Sequence, residues 1–241
     1  MTPSTPGPID LQAVAELTWP PATTHRAGPW TIREGRGGGQ RVSAASAAAD
    51  WTEADIPMAE AAMRALGQSP LFVLQPHEAA LDAALAARGY ALHDPVVAYA
   101  APTDRLAATE PPFLSTFPHW PPLSVARQIW AEGGIGPARI AVMDRVDGPK
   151  TCILGRTGDR AAGAAFVAVH GNVAMLHALE TVPDQRRKGC GHNILRAAGR
   201  WALDHGALTL ALLVTERNVA ARALYASLQM QVVGQYHYRK Q

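Results

Sequence analysis

The run Thr181-Val-Pro-Asp-Gln-Arg-Arg-Lys-Gly-Cys-Gly191, opening onto a helical stretch from His192 to His205, constrains this chain more than any other feature. Its order predicts a strand, a turn and a helix start. Two glycines spaced G-x-G let the backbone approach a ligand closely. The first amides of the following helix have no carbonyl partner within it and point at whatever occupies the turn. Arg186, Arg187 and Lys188 put three cations at that helix start, where the macrodipole alone favours anionic side chains. The charge suits an anionic ligand such as a phosphate; the plainer alternative is a solvated basic loop. The third glycine of a dinucleotide fingerprint is missing, and so is the Gly-Lys-Ser/Thr of a P-loop.

Downstream segments bear on that choice. Ala207 to Val214 is a short apolar run between Gly206 and the polar Thr215-Glu216-Arg217, the pattern of a buried strand. Asn218 follows as an N-cap for a helix in which Leu224 and Leu228 repeat at helical spacing. Gln231 to Arg239 then alternates as a strand, with Gly234 at a bulge or close approach. Arg186-x-x-Gly189-x-Gly191, preceded by Val182-Pro183, closely resembles the Q/R-x-x-G-x-G/A acetyl-CoA loop of the GCN5-related N-acetyltransferase (GNAT) family. Asn218 to Tyr225 resembles the family's N-x-x-A-x-x-L-Y helix. The likeness covers about residues 125 to 241 and departs from the pattern at Gln229-Met230, where the family usually has Gly-Phe.

The resemblance implies a mixed α/β (α+β) fold, its mostly antiparallel sheet flanked by helices, and acetyl-CoA as co-substrate. Residues expected at the cofactor are Leu179, Thr181, Val182, Arg186, Arg187, Lys188, Gly189, Cys190, Gly191, His192, Asn218 and Tyr225. Val182 would offer strand-edge hydrogen bonds, and a main-chain N–H between Leu179 and Thr181 would polarise the thioester carbonyl. Tyr225, which the family places beside the CoA sulfur, is the expected acid. Cys190 is expected to fill space rather than act as a nucleophile.

Acetyl transfer to an amine also calls for a base near neutrality. His177 has the appropriate unperturbed range, and Met175-Leu-His-Ala-Leu179 resembles the His-x-His-Ala-Leu strand of arylalkylamine acetyltransferases. A core histidine bonded to backbone is the alternative. Glu180 is the rival base, and strict strand alternation puts it on the opposite face from His177. The acceptor is expected to be a small-molecule amine or a peptide amine, with His119 and Trp120 as candidates for its entrance. A catalytically silent acyl-CoA-binding or regulatory module remains a second reading.

Upstream, Thr151–Leu154, Ala162–Val169 and Val173–Leu179 are separated by turn signals and predict an antiparallel meander. Ile140–Met143 is expected to precede them as a further strand, after a helix over Leu123–Glu132. In the first hundred residues, Trp30–Arg33, Leu71–Leu74 and Val96–Ala100 predict strands, while residues 52–66 and 78–89 predict helices ending at Gly67 and Gly89. Gly37 to Val42 reads as a glycine-rich hairpin connection entering a strand. The helix ending in Arg88-Gly89-Tyr90 resembles the close of an acetyltransferase domain, which implies a tandem pseudo-repeat whose first half is degenerate and does not bind the cofactor. The divisions are a loose lead-in over 1–19, the degenerate half over 20–102, a proline-rich linker over 103–122 and the catalytic domain over 123–241.

Composition narrows the classes. A net charge of +2 with few clustered cations lacks the broad basic footprint of a nucleic-acid surface. Two cysteines without C-x-x-C spacing indicate neither a zinc site nor a disulfide framework, and fit a reducing cytoplasm. No apolar run approaches the length of about 20 residues needed to cross a bilayer.

Overall fold

A computed structural model describes residues 11–241. The chain starts with α1 (Leu11–Thr18), whose Val14, Ala15 and Thr18 are buried. Only residues 1–10 of the expected lead-in therefore lie outside the described residues; the rest is a packed helix. A meander of β1 (Thr23–Ala27), β2 (Trp30–Glu34) and β3 (Ser46–Ala47) follows, with both pairings antiparallel. Gly37–Val42 does not enter a strand as expected: Gly39 at φ +101° leads into a 3-10 turn over Gln40–Val42, which shortens β3 to two residues.

Next come α2 (Ile56–Ala65), β4 (Leu71–Leu74), α3 (Ala79–Ala87) and β5 (Ala91–Pro102). The proline-rich stretch after them is not a bare linker. It holds α4 (Thr103–Ala107), packed on a later helix, and β6 (Thr116–His119), whose Pro118 is tolerated on the outermost strand of the main sheet. α5 (Ser124–Glu132) is followed by α6 (Pro137–Asp144), where a strand was expected over Ile140–Met143. Four apolar residues do not separate the two periods. Pro137 at the first helical position fixes the outcome, and Ile140, Val142 and Met143 are all buried.

The remaining elements are β7 (Lys150–Thr157), β8 (Arg160–His170), β9 (Val173–Thr181), α7 (Cys190–Asp204), β10 (Thr209–Thr215), α8 (Val219–Ser227) and β11 (Gln231–Lys240). β7 to β9 form the expected antiparallel meander, with β6 from the expected linker pairing with β7 where Ile140–Met143 was expected to supply a strand, and β10 joins β9 in parallel. The main sheet has eight strands in the order β4-β11-β5-β10-β9-β8-β7-β6. One face buries Ile153, Ala165, Val167 and Leu176 against α7 and α8. The other buries Cys152, Ala164 and Phe166 against α5 and α6, while Met175 and Ala211 lie under α1. No helix among the described residues is long and apolar enough to cross a membrane.

The two halves repeat one topology. Each runs through a three-stranded meander, a helix, a strand parallel to the meander's last strand, a helix and a final strand; in the first half the parallel contact is the Ala45–Phe72 bridge. Glu78 and Asn218, Gly89 and Gln229, and Tyr90 and Met230 stand at one constant sequence offset, and α3 and α8 have equal length. The final strands are exchanged: β5 lies between β10 and β11, and β11 lies between β5 and β4.

Candidate active site

Gly189 adopts φ +87° and caps α7, a left-handed conformation that a side chain would strain. Arg187 precedes it at φ +65°. Gly189 O receives Asn193 N at 3.1 Å, so the amides before Asn193 are not bonded within the helix and face the turn. The second glycine serves packing: a Cβ on Gly191 would lie 2.8 Å from Leu224 Cδ2, so the start of α7 abuts α8 closely. His192 Nε2 meets Ser227 Oγ at 2.9 Å and joins the same two helices. Cys190 is buried beneath the turn, and burial pushes its thiol up to about 11.

Immediately before the turn, the sheet opens. β9 and β10 are paired from Val173–Thr209 to Leu176–Leu212 and then part. The cause lies in β9. Ala178 has φ +53°, and the β8–β9 register steps from Phe166–His177 to Ala164–Glu180, so β9 carries one extra residue. Trp130 Nε1 donates to Ala178 O at 2.8 Å and holds the bulge from α5. Between the parted strands lies a cavity of about 410 Å³, bordered by His177, Leu179, Val214, Asn218, Tyr225 and Arg41.

That bulge overturns the expected geometry of the two candidate bases. Alternation would separate His177 from Glu180, but the extra residue restores both to the α5 face of the sheet. His177 stacks near Trp19 and Phe166, with ring centroids 5.0 and 6.2 Å away, while Glu180 lies against Gly133. Glu180 is held by the turn: its Oε1 accepts from Arg186 Nη2 at 3.3 Å and from Thr181 N at 3.2 Å. Arg186 Nε also donates to Thr181 O at 3.2 Å, so Arg186 braces the turn.

His177 is 5% exposed, and both its ring nitrogens are engaged. Thr18 Oγ1 gives its proton to Val14 O at 2.8 Å, so it accepts from His177 Nε2–H at 3.0 Å. Nδ1 is then the acceptor for Arg41 Nη1 at 3.0 Å. Burial, with the Arg41 guanidinium alongside, holds the imidazole well below the usual histidine range.

Tyr225, on α8, reaches the same cavity. It is buried beside Tyr99 at 5.5 Å, and burial raises its phenol well above the usual tyrosine range, so the proton is retained. Asn218 caps α8 by accepting Ala221 N at 3.1 Å.

The fold has known counterparts. Residues 110–229 match the model of the acetyltransferase (GNAT) family. The chain belongs to the GNAT family. A Bacillus subtilis (strain 168) protein described as an uncharacterized N-acetyltransferase, YobR, is 24% identical over 95% of this chain and 96% of its own length. Among solved structures, a GCN5-related N-acetyltransferase from Kribbella flavida superposes with a TM-score of 0.70 at 17% identity, covering 95% of this chain and 93% of that one. A tandem GNAT protein from the clavulanic acid biosynthesis pathway gives 0.62 at 15% identity, over 97% and 88%.

Of the positions expected at the GNAT cofactor, Leu179, Asn218 and Tyr225 border the cavity, and Arg186 to His192 form the adjoining turn and helix start. Val182 departs from expectation. Its N–H donates to Ala162 O at 2.9 Å and its carbonyl accepts Gln185 N at 2.9 Å, so the N–H is not open to a ligand. The β8–β9 ladder simply runs past Thr181. Lys188 Nζ bonds Gln185 Oε1 at 3.3 Å, and Arg187 is exposed. His119 and Trp120 do not line this cavity: His119 bonds Phe117 O and Leu123 N, and Trp120 packs on Phe166.

Sequence reasoning missed Trp19, Arg41, Asp94 and Arg139, all on the cavity wall. Arg41 and Arg139 come together at the Gly37–Gly39 turn, where a Cβ on Gly39 would lie 3.5 Å from Arg139 Nε. Three glycines followed closely by a cation were the available signal.

Proposed function

We propose that this GNAT protein is an acetyl-CoA-dependent N-acetyltransferase that acylates a primary amine by direct attack on the thioester. One observation carries the reading: Leu179, Asn218 and the protonated Tyr225 border a single cavity where β9 and β10 part, and the cationic turn into α7 leads on from the end of β9. The turn offers main-chain amides and cations to the phosphates of CoA. The amine nitrogen forms a bond to the carbonyl carbon, the carbon–sulfur bond breaks, and Tyr225 gives its proton to the departing thiolate. A main-chain N–H in Leu179 to Thr181 supports the developing oxyanion. The nitrogen of the new amide loses its extra proton to water, which returns a proton to Tyr225, since His177 Nδ1 already accepts from Arg41 and Glu180 is paired with Arg186.

In this reading residues 20–102 are a degenerate GNAT half without a cofactor site. The segment matching the α7 turn, between β3 and α2, carries Asp50, Glu53 and Asp55 in place of cations and has no glycine. Leu85 stands at the offset that corresponds to Tyr225. Calorimetry with acetyl-CoA on the whole chain, followed by thiol release across an amine panel, tests both points. One site per chain with amine-dependent release is expected. Binding without release for every amine would favour the silent module, and two sites would end the degenerate-half reading.

A further inference from the structure

Arg41 is an unusual cation for its position. It comes from the first half, reaches the β9 bulge and forms no ion pair among the described residues. Its protein partner at the cavity is a histidine kept neutral by burial, which orients the guanidinium without cancelling its charge. Arg41 Nε is buried without a hydrogen-bond partner, and Nη2 makes none among the described residues. The neighbouring charges do not compensate it. Asp94 is committed to Arg217 at 3.1 Å and to Gln40 Nε2 at 3.1 Å, and Glu16 is bound to Arg33 at 2.8 and 3.0 Å. Arg139 adds a second cation without an ion pair among the described residues.

Arg41 also stands where two cavities meet. Beyond the acetyl-transfer cavity is a second one of about 450 Å³, with Leu11, Ala15, Val73, Ala98 and Val233 among its walls. Arg41, Leu213, Tyr236 and Tyr238 border both. It lies under α1, on the opposite face of the sheet from α7 and α8. A half-buried guanidinium without a counter-charge, beside a chamber whose walls are mostly apolar but also hold the paired Glu16 and Arg33, fits a carboxylate attached to an apolar body.

We infer that the acceptor amine carries a carboxylate held by Arg41, with His177 as the positioning residue behind it and the second cavity taking the acceptor's apolar side chain. The acceptor class is therefore an amino acid with an apolar side chain. This rests on the acetyltransferase reading, and the test separates the two. The acceptors to compare are L-phenylalanine with phenethylamine and L-leucine with isopentylamine, using acetyl-CoA and the wild type, Arg41→Gln and Arg41→Lys. The acids are expected to be preferred. Arg41→Gln should raise their KM about 10- to 100-fold with a smaller change in kcat and erase the preference, and Arg41→Lys should restore part of it.

Calorimetry on the CoA-loaded wild type, with N-acetyl-L-phenylalanine and N-acetylphenethylamine, reads the carboxylate without turnover. Tighter binding of the acid supports the inference even if no acetyl group is transferred, an outcome that would sink only the catalytic reading. Equal binding of the two, an acid preference that survives Arg41→Gln, or an Arg41 effect confined to a carboxylated donor such as succinyl-CoA would each overturn it.

Discussion

His177 offers a measurable consequence of being buried and neutral. In the unfolded chain its imidazole takes up a proton as pH falls through about 6.5, whereas in the fold burial and Arg41 keep it unprotonated well below that. The unfolded state therefore binds more protons over this range, and stability must drop as pH falls. For a histidine that stays neutral throughout, the loss between about pH 7.5 and about pH 5.5 comes to about 1.4 kcal/mol. Glutamine at this position presents one acceptor and one donor group, matching the contacts to Arg41 and Thr18 without a titratable proton. Urea unfolding of wild type and His177→Gln, followed by tryptophan fluorescence, isolates the effect from every other titrating group. The wild type should lose about 1.4 kcal/mol more than the variant across that interval. Parallel losses would show that the folded histidine titrates normally, and the neutral-acceptor geometry would be refuted. The same property predicts that a rate profile has no limb near pH 6.5 belonging to His177.

Other changes probe the rest of the site. Tyr225→Phe should lower kcat by about 10²-fold or more while leaving acetyl-CoA affinity within a few-fold, checked by steady-state kinetics beside calorimetry. Undiminished turnover would remove Tyr225 from the chemistry. Gln229 occupies φ +57° where its first-half counterpart is Gly89, so Gln229→Gly should raise stability by up to about 1 kcal/mol in thermal unfolding. A loss of stability would show that its contacts outweigh the backbone strain.

Local chemistry made the turn into α7 and the start of α8 legible. Gly189 and Gly191 mark the turn because each meets a constraint set by nearby backbone or side chains, and Asn218 marks α8 because capping acts within one turn. The helices at 56–65 and 79–87 were readable for the same reason. What escaped depends on distant partners. Alternation failed at Ala178 because a bulge is set by pairing with β8 and by Trp130, forty-eight positions away in sequence. Ile140–Met143 was misread because its apolar run is too short to show a period. The glycine run before Arg41 marks a turn but not what the cation meets, because its partner His177 lies 136 positions downstream. The exchange of β5 and β11 leaves no trace in either strand, whose apolar residues would suit any interior position.

That exchange has a consequence for how the chain is made. During synthesis β5 emerges long before either of its neighbours: one hydrogen-bonding edge stays open until β10 (Thr209–Thr215) is made, and the other until β11 (Gln231–Lys240) arrives. Such non-local pairing is slow and leaves strand edges exposed to other chains. Neither half can finish its sheet by itself, so cutting the gene between them should yield two sticky fragments rather than two domains. Mixing those fragments should rebuild one molecule.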